Sequence, residues 1–259
     1  MEKTAQSLSP QTISFYREKL RYLCNHCNHL GISLFGLTKQ DIQRLLLELP
    51  CNPGGKHAYL RGWRAFYSWA EDNDLVPANP CSKVRVKVPK PLRHAVNVQD
   101  IPMLFDSCKT LRDKLIVSIL ADTGLRLSEL AGLRLEDVDP QNRTITVWGK
   151  GAKQRVVRYG PLTSDLLAEY VRMSTPKETL FGLRPRGISV MLLRLGESVG
   201  LKCNAHSFRR TFATQSVRNG MNLFHVQSLL GHSNLTMTRI YAEQVSSEDA
   251  IEAYKPIVT

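Results

Sequence analysis

His206 and Arg209 stand three residues apart in His206-Ser-Phe-Arg209, a spacing that puts both on one face of a helix and turns Phe208 toward a core. An imidazole beside a guanidinium can move a proton next to a bound anion. In Thr123-Gly-Leu-Arg126 a second guanidinium follows a helix-breaking glycine and the apolar stretch 115–121. An arginine so close to a buried helix needs an anionic partner, which is Glu129, Asp122 or a bound phosphate. Gly149-Lys150-Gly-Ala-Lys153 carries two lysines on a turn, where a cation is mobile and exposed. In Leu229-Leu-Gly-His232-Ser-Asn-Leu-Thr-Met-Thr-Arg-Ile-Tyr241, Gly231 stops one helix and Ser233 caps the next, which carries Tyr241. That tyrosine is either a half-buried helix residue or a nucleophile. Each group alone has an ordinary reading: a surface pair, an internal ion pair, a solvated turn, a packed tyrosine.

The elements that must position these groups are legible from periodicity. Ser9-Pro10 caps a first helix striped by Ile13, Tyr16, Leu20 and Leu23 and stopped by Gly31. Thr38-Lys-Gln-Asp41 resembles a capping box and opens a second helix to about Glu48. Leu60, Trp63 and Tyr67 stripe a third, an aromatic row that reads as core before it reads as a base-stacking surface. Residues 1–81 thus form a small all-α domain. Segment 82–93 holds five basic residues, no acidic one and two prolines, so it is not a helix but the basic part of an extended interdomain linker expected over 82–97. It is either a solvated connector or a strap along phosphates, through Lys83, Arg85, Lys87, Lys90 and Arg93; the strap is favoured.

From 98 to 259 the pattern is α+β and mainly helical. Helices are expected near 98–108, 111–122, 127–133, 163–173, 187–199, 206–218, 222–230 and 234–242, with a short one near 247–254. Thr144–Trp148 alternates as a strand, the glycine-rich turn reverses it, and Gln154–Arg158 returns as a β-hairpin.

Composition sets the frame. The 259 residues carry 35 Lys and Arg against 23 Asp and Glu, a net charge of +12, which suits a nucleic-acid binder without proving one. Residues 1–97 hold 14 basic and 7 acidic side chains, the denser share of the positive charge. A hydrophobic content of 42% excludes a disordered chain. No apolar run is long enough to cross a bilayer, and Met-Glu-Lys-Thr-Ala-Gln lacks a signal-peptide core, so a cytoplasmic protein is expected. The six cysteines read as reduced thiols. Cys24-Asn-His-Cys27-Asn-His29 has no second ligand pair and reads as a helix end before a metal site.

Together the four blocks TGLRLSEL, VWGKGAKQR, HSFRRTFAT and LLGHSNLTMTRIY, in this order, resemble the tyrosine recombinases, the lambda-integrase and Xer-like enzymes. The resemblance covers 98–259, and the helical first domain and its linker look like the family's core-binding half. It implies a C-shaped clamp on double-stranded DNA and a catalytic set at Arg126, Lys150, His206, Arg209, His232 and Tyr241. It implies strand cleavage through a 3′-phosphotyrosyl bond with no metal, cofactor or nucleotide. It also implies paired half-sites joined in a homotetramer on two duplexes, with a monomer in free solution, accessory proteins as possible partners, and a place on the nucleoid. The one departure is Arg210, where relatives commonly have histidine; with Lys153 it is a candidate phosphate contact. The tail after Tyr241 docks on a neighbouring subunit or folds back on its own domain. The early start of the helical domain leans toward simple Xer-like sites. A type IB topoisomerase and a catalytically silent DNA-binding relative are the competing readings.

Overall fold

The computed structural model describes residues 8–89, 94–149, 154–176 and 178–231. The chain separates into two compact units, Met1–Leu92 and Arg93–Thr259.

The first unit is helical: α1 (Pro10–Leu30), α2 (Lys39–Glu48) and α3 (Pro53–Asp72). Their starts follow from local chemistry. Ser9 Oγ accepts from Thr12 N, Thr38 and Asp41 close a reciprocal capping box, and Asn52 Oδ1 accepts from Gly55 N. The aromatic row of α3 is core, with Trp63 and Tyr67 fully buried among Leu23, Ile42, Leu45 and Leu60. Their polar ends are satisfied by backbone, because a buried N–H or O–H without a partner is costly. Trp63 Nε1 donates to Lys19 O at 2.9 Å and Tyr67 OH to Leu34 O at 2.7 Å. Cys24 and Cys27 lie within α1, and burial pushes the Cys27 thiol up. Among the described residues no three His, Cys, Asp or Glu side chains are grouped so as to hold a metal ion.

The basic segment begins inside this unit. Cys81 and Val84 are buried in the helical core, and Arg64 of α3 donates to the carbonyls of Cys81 at 3.2 Å and Val84 at 2.8 Å. Beyond Val84 the described part of the segment has no helix or strand. Lys83, Arg85 and Lys87 are exposed, alternating with buried Val84 and half-buried Val86. Arg85 Nη1 also donates to Ser82 O and Val84 O. Lys90 and Arg93 lie outside the described residues.

The second unit carries α4 (Ile101–Asp106), α5 (Leu111–Thr123), α6 (Leu127–Gly132), β1 (Val138–Asp139), β2 (Thr144–Trp148), β3 (Gln154–Arg158), α7 (Pro161–Met173), α8 (Pro185–Ser198), α9 (Ala205–Arg218) and α10 (Leu223–Leu230). It is mainly helical with a small antiparallel sheet in the order β1-β2-β3. Helix α5 is its axis: Leu115, Ile116, Val117, Ile119 and Leu120 are all fully buried, so the middle of the helix is enclosed on every side, and it packs against α7 and α9. In the hairpin Thr146 faces Val156 and Trp148 faces Gln154. The sheet has a third strand that the hairpin pattern did not foresee. At two residues β1 is too short to show an alternation, and it exists through its pairing of Val138 with Ile145 and Asp139 with Thr144. The expected helices near 234–242 and 247–254 lie outside the described residues.

Candidate active site

Helix α9 begins at a reciprocal cap in which Ser207 N donates to Asn204 Oδ1 and Asn204 N to Ser207 Oγ, both at 2.9 Å. That start sets the phase of the next turn. Phe208 goes into the core, His206 stays exposed, and Arg209 is only 4% exposed. A buried guanidinium needs acceptors. Arg209 Nη1 donates to Gly124 O at 2.8 Å, and Nη2 donates to Leu230 O. Gly124 ends α5 at φ +59°, where a Cβ would lie 2.8 Å from Phe212 Cδ1. Only glycine turns the chain there without strain or collision.

Arg126, two residues later, is the N-cap of α6. Of its possible protein partners the structure selects Glu129. Arg126 N donates to Glu129 Oε2 at 2.8 Å and Nη1 to Oε1 at 2.7 Å. Asp122 is engaged elsewhere, accepting from Gly160 N at 2.7 Å and from Thr163 Oγ1 at the start of α7. The second Nη of Arg126 donates to Gly231 O at 2.9 Å.

Arg155, which ends the block VWGKGAKQR but is not one of the six expected catalytic residues, completes the arrangement. Arg155 on β3 donates Nη1 to Glu129 Oε1 at 2.9 Å, Nη2 to Oε2 at 2.7 Å, and Nε to Leu229 O at 2.6 Å. Three guanidiniums therefore take three successive carbonyls, Leu229, Leu230 and Gly231, at the end of α10. These are groups that a helix C-terminus leaves without partners, at the negative end of its dipole. The signal for Arg155 was present in the strand alternation. Arg155 and buried Val157 share a face of β3, and an inward arginine demands a carboxylate.

Glu129 is 5% exposed at its side chain, and burial alone would push its acid up. The hydrogen bonds from Arg155 and Arg126 outweigh that and hold its pKa at about 2, so the carboxylate is ionised at any cellular pH. His206 is shifted down from the usual histidine range, first by partial desolvation and then by the positive charges of Arg210, Arg209 and Arg126. Arg210 Nη1 donates to His94 O at 2.9 Å, and Thr211 Oγ1 donates to Val96 O. The helix that bears His206 and Arg209 thus also holds the start of its own unit.

The structure brings together Arg126, Arg209 and, through their fields, His206. Lys83, Arg85 and Lys87 belong to the helical unit. Lys150, Lys153, His232 and Tyr241 lie outside the described residues; the chain passes directly from Gly231, whose carbonyl Arg126 holds, to His232.

The sequence profile of the phage integrase family matches residues 94–248. The tyrosine recombinase XerA of Saccharolobus solfataricus is 37% identical over 166 residues, covering 62% of this chain and 57% of that protein. The tyrosine recombinase XerC of Oceanobacillus iheyensis is 31% identical over 281 residues, covering 98% of this chain and 91% of the relative. Among solved structures, the XerH site-specific recombinase bound to a palindromic difH substrate in a post-cleavage complex superposes with a TM-score of 0.80 at 22% identity. That match covers 97% of this chain and 81% of that one. With the matched residues spanning the whole arginine cluster, from Arg126 to the end of α10, this chain belongs to the phage integrase family, among the tyrosine recombinases.

Proposed function

We propose that the protein is a site-specific DNA recombinase, a strand transferase that cuts and rejoins DNA through a 3′-phosphotyrosyl intermediate. The observation that carries this reading is the convergence of Arg126 and Arg209, from two separate helices, on the turn that leads into His232 and on toward Tyr241. Guanidinium forks match phosphate geometry and stay cationic at any working pH, so two fixed ones form a clamp for the non-bridging oxygens of a scissile phosphate. The Tyr241 hydroxyl attacks phosphorus. The phosphotyrosyl bond forms, the bond to the 5′-oxygen breaks, and that oxygen leaves with a proton from Lys150. His206 takes the tyrosine proton; its depressed basicity keeps the imidazole in the accepting form. His232 donates a hydrogen bond to the phosphate. Because the tyrosyl ester conserves the bond, a new 5′-hydroxyl rejoins the strand by the reverse step.

The partner is double-stranded DNA with paired half-sites. Four protomers assemble on two duplexes, from a monomer in free solution and with accessory proteins where a site requires them. Lys83, Arg85, Lys87, Lys90 and Arg93 run along one backbone as a strap, and Lys153 and Arg210 add phosphate contacts. The protein acts in the cytoplasm, at the nucleoid.

The decisive experiment uses a nicked suicide duplex carrying the cleavage site, mapped first on genomic DNA. The parent chain is expected to accumulate a covalent protein–DNA adduct, and Tyr241→Phe to bind the same duplex and form none. An adduct in Tyr241→Phe would remove Tyr241 as the nucleophile. Relaxation of supercoiled circles without exchange between two sites would replace recombination with a topoisomerase activity.

A further inference from the structure

We propose that Arg155 is a positioning residue for strand cleavage: by saturating Glu129 and docking the end of α10, it leaves Arg126 with its charge available to the scissile phosphate. The inference rests on the reading of Arg126 as a phosphate clamp and extends it to a residue with no part in the chemistry itself.

Arg126 and Glu129 alone are a neutral pair, and a clamp cancelled by its own carboxylate attracts a phosphate weakly. Arg155 restores a net charge of +1 to the trio. Its geometry is that of a committed group, with all three guanidinium nitrogens donating inside the protein and a side chain 11% exposed. Arg126 is the more open of the two, at 34%. Of the two arginines bound to Glu129, Arg155 is the one whose guanidinium donates from all three nitrogens inside the protein, and Arg126 is the one more open to solvent.

Arg155 also fixes position. Its Nε bond to Leu229 O holds the last turn of α10 against β3, and the chain then passes over its guanidinium at Gly231. A Cβ on that glycine would lie 3.2 Å from Arg155 Nη1 and 3.3 Å from Cδ. The same turn presents Gly231 O to Arg126 and Leu230 O to Arg209. One strand residue thus sets both the acceptors that orient the two clamping arginines and the charge of one of them.

The test compares single-turnover cleavage of the suicide duplex, at saturating DNA, for the parent, Arg155→Met and Arg155→Met/Glu129→Gln. Arg155→Met is expected to lower the rate roughly 100-fold, as loss of an oriented transition-state clamp does, with duplex affinity unchanged. Adding Glu129→Gln removes the uncompensated carboxylate and is expected to recover about tenfold of that rate, because the net charge returns to +1. A purely structural role for Arg155 would give no such rescue. Should Arg155→Met melt below the assay temperature, Arg155→Gln, which keeps a donor for Leu229 O, supports the same pair of comparisons. A parental rate in the single variant, or a double variant no faster than the single, would overturn the inference. Absence of any adduct in the parent would instead overturn the cleavage reading itself.

Discussion

His206 is an imidazole crowded by cations. Partial desolvation and the charges of Arg210, Arg209 and Arg126 all disfavour its protonated form, so its basicity falls below the ordinary histidine range. A base must be neutral to accept the tyrosine proton, and a lowered pKa extends the neutral form to lower pH. The acidic limb of the pH–cleavage profile is therefore expected below about pH 6.5, the unperturbed histidine value. Arg210→Gln removes the guanidinium whose field acts most strongly on His206 among the three while keeping a donor for His94 O, and should move that limb upward. A limb that stays in place would show that His206 is not the group titrating.

At the scale of elements, the site depends on how helices end. The break after α5 lets Arg126 start α6 and turns Gly124 O toward Arg209. Gly124→Ala would place a methyl group at a left-handed backbone position and 2.8 Å from the Phe212 ring. The backbone cost is roughly 1–2 kcal/mol, and overpacking adds roughly 1–3 kcal/mol. Denaturant unfolding of the full chain should show a loss on that order, together with slower cleavage as the acceptor of Arg209 shifts. Unchanged stability would mean that Phe212 yields and that the break is not a fixed feature.

For the whole molecule, the basic excess divides into distinct uses. Arg64 and Arg155 are structural cations, committed to backbone carbonyls and to a buried carboxylate. Lys83, Arg85 and Lys87 instead alternate outward while Val84 anchors the segment to the helical core. A backbone strap predicts that duplex affinity falls steeply with salt. Replacing these three with glutamine should reduce the slope of log affinity against log salt by about 0.9 for each phosphate that is no longer neutralised. A titration between about 50 and 200 mM salt measures it, and an unchanged slope would return the segment to the role of a solvated connector.

The sequence alone determined what local hydrogen bonds and periodicity decide. Ser9 and Thr38 are caps because a side-chain oxygen finds an amide within three residues, whatever the rest of the fold does. The three-residue spacing of His206 and Arg209 and the turning of Phe208 toward the core follow from 3.6 residues per turn, and the extended form of the basic segment from its prolines; that Arg209 is buried and His206 exposed was decided by the fold. Tertiary structure decided what depends on distant partners. The sequence left Arg126 with Glu129, Asp122 or a phosphate as its counterpart. Only the packing of α5 on α7 assigned Asp122 to Gly160 and Thr163, leaving Glu129 to Arg126. The face of Arg155 was readable from strand parity, but not the carboxylate opposite it, nor the carbonyl of Leu229, which lies 74 residues away. Arg126 meets Gly231 across 105 residues, a pairing that no local pattern encodes. Such pairings exist because buried charges must find acceptors inside the folded unit, and the fold determines which acceptors are within reach.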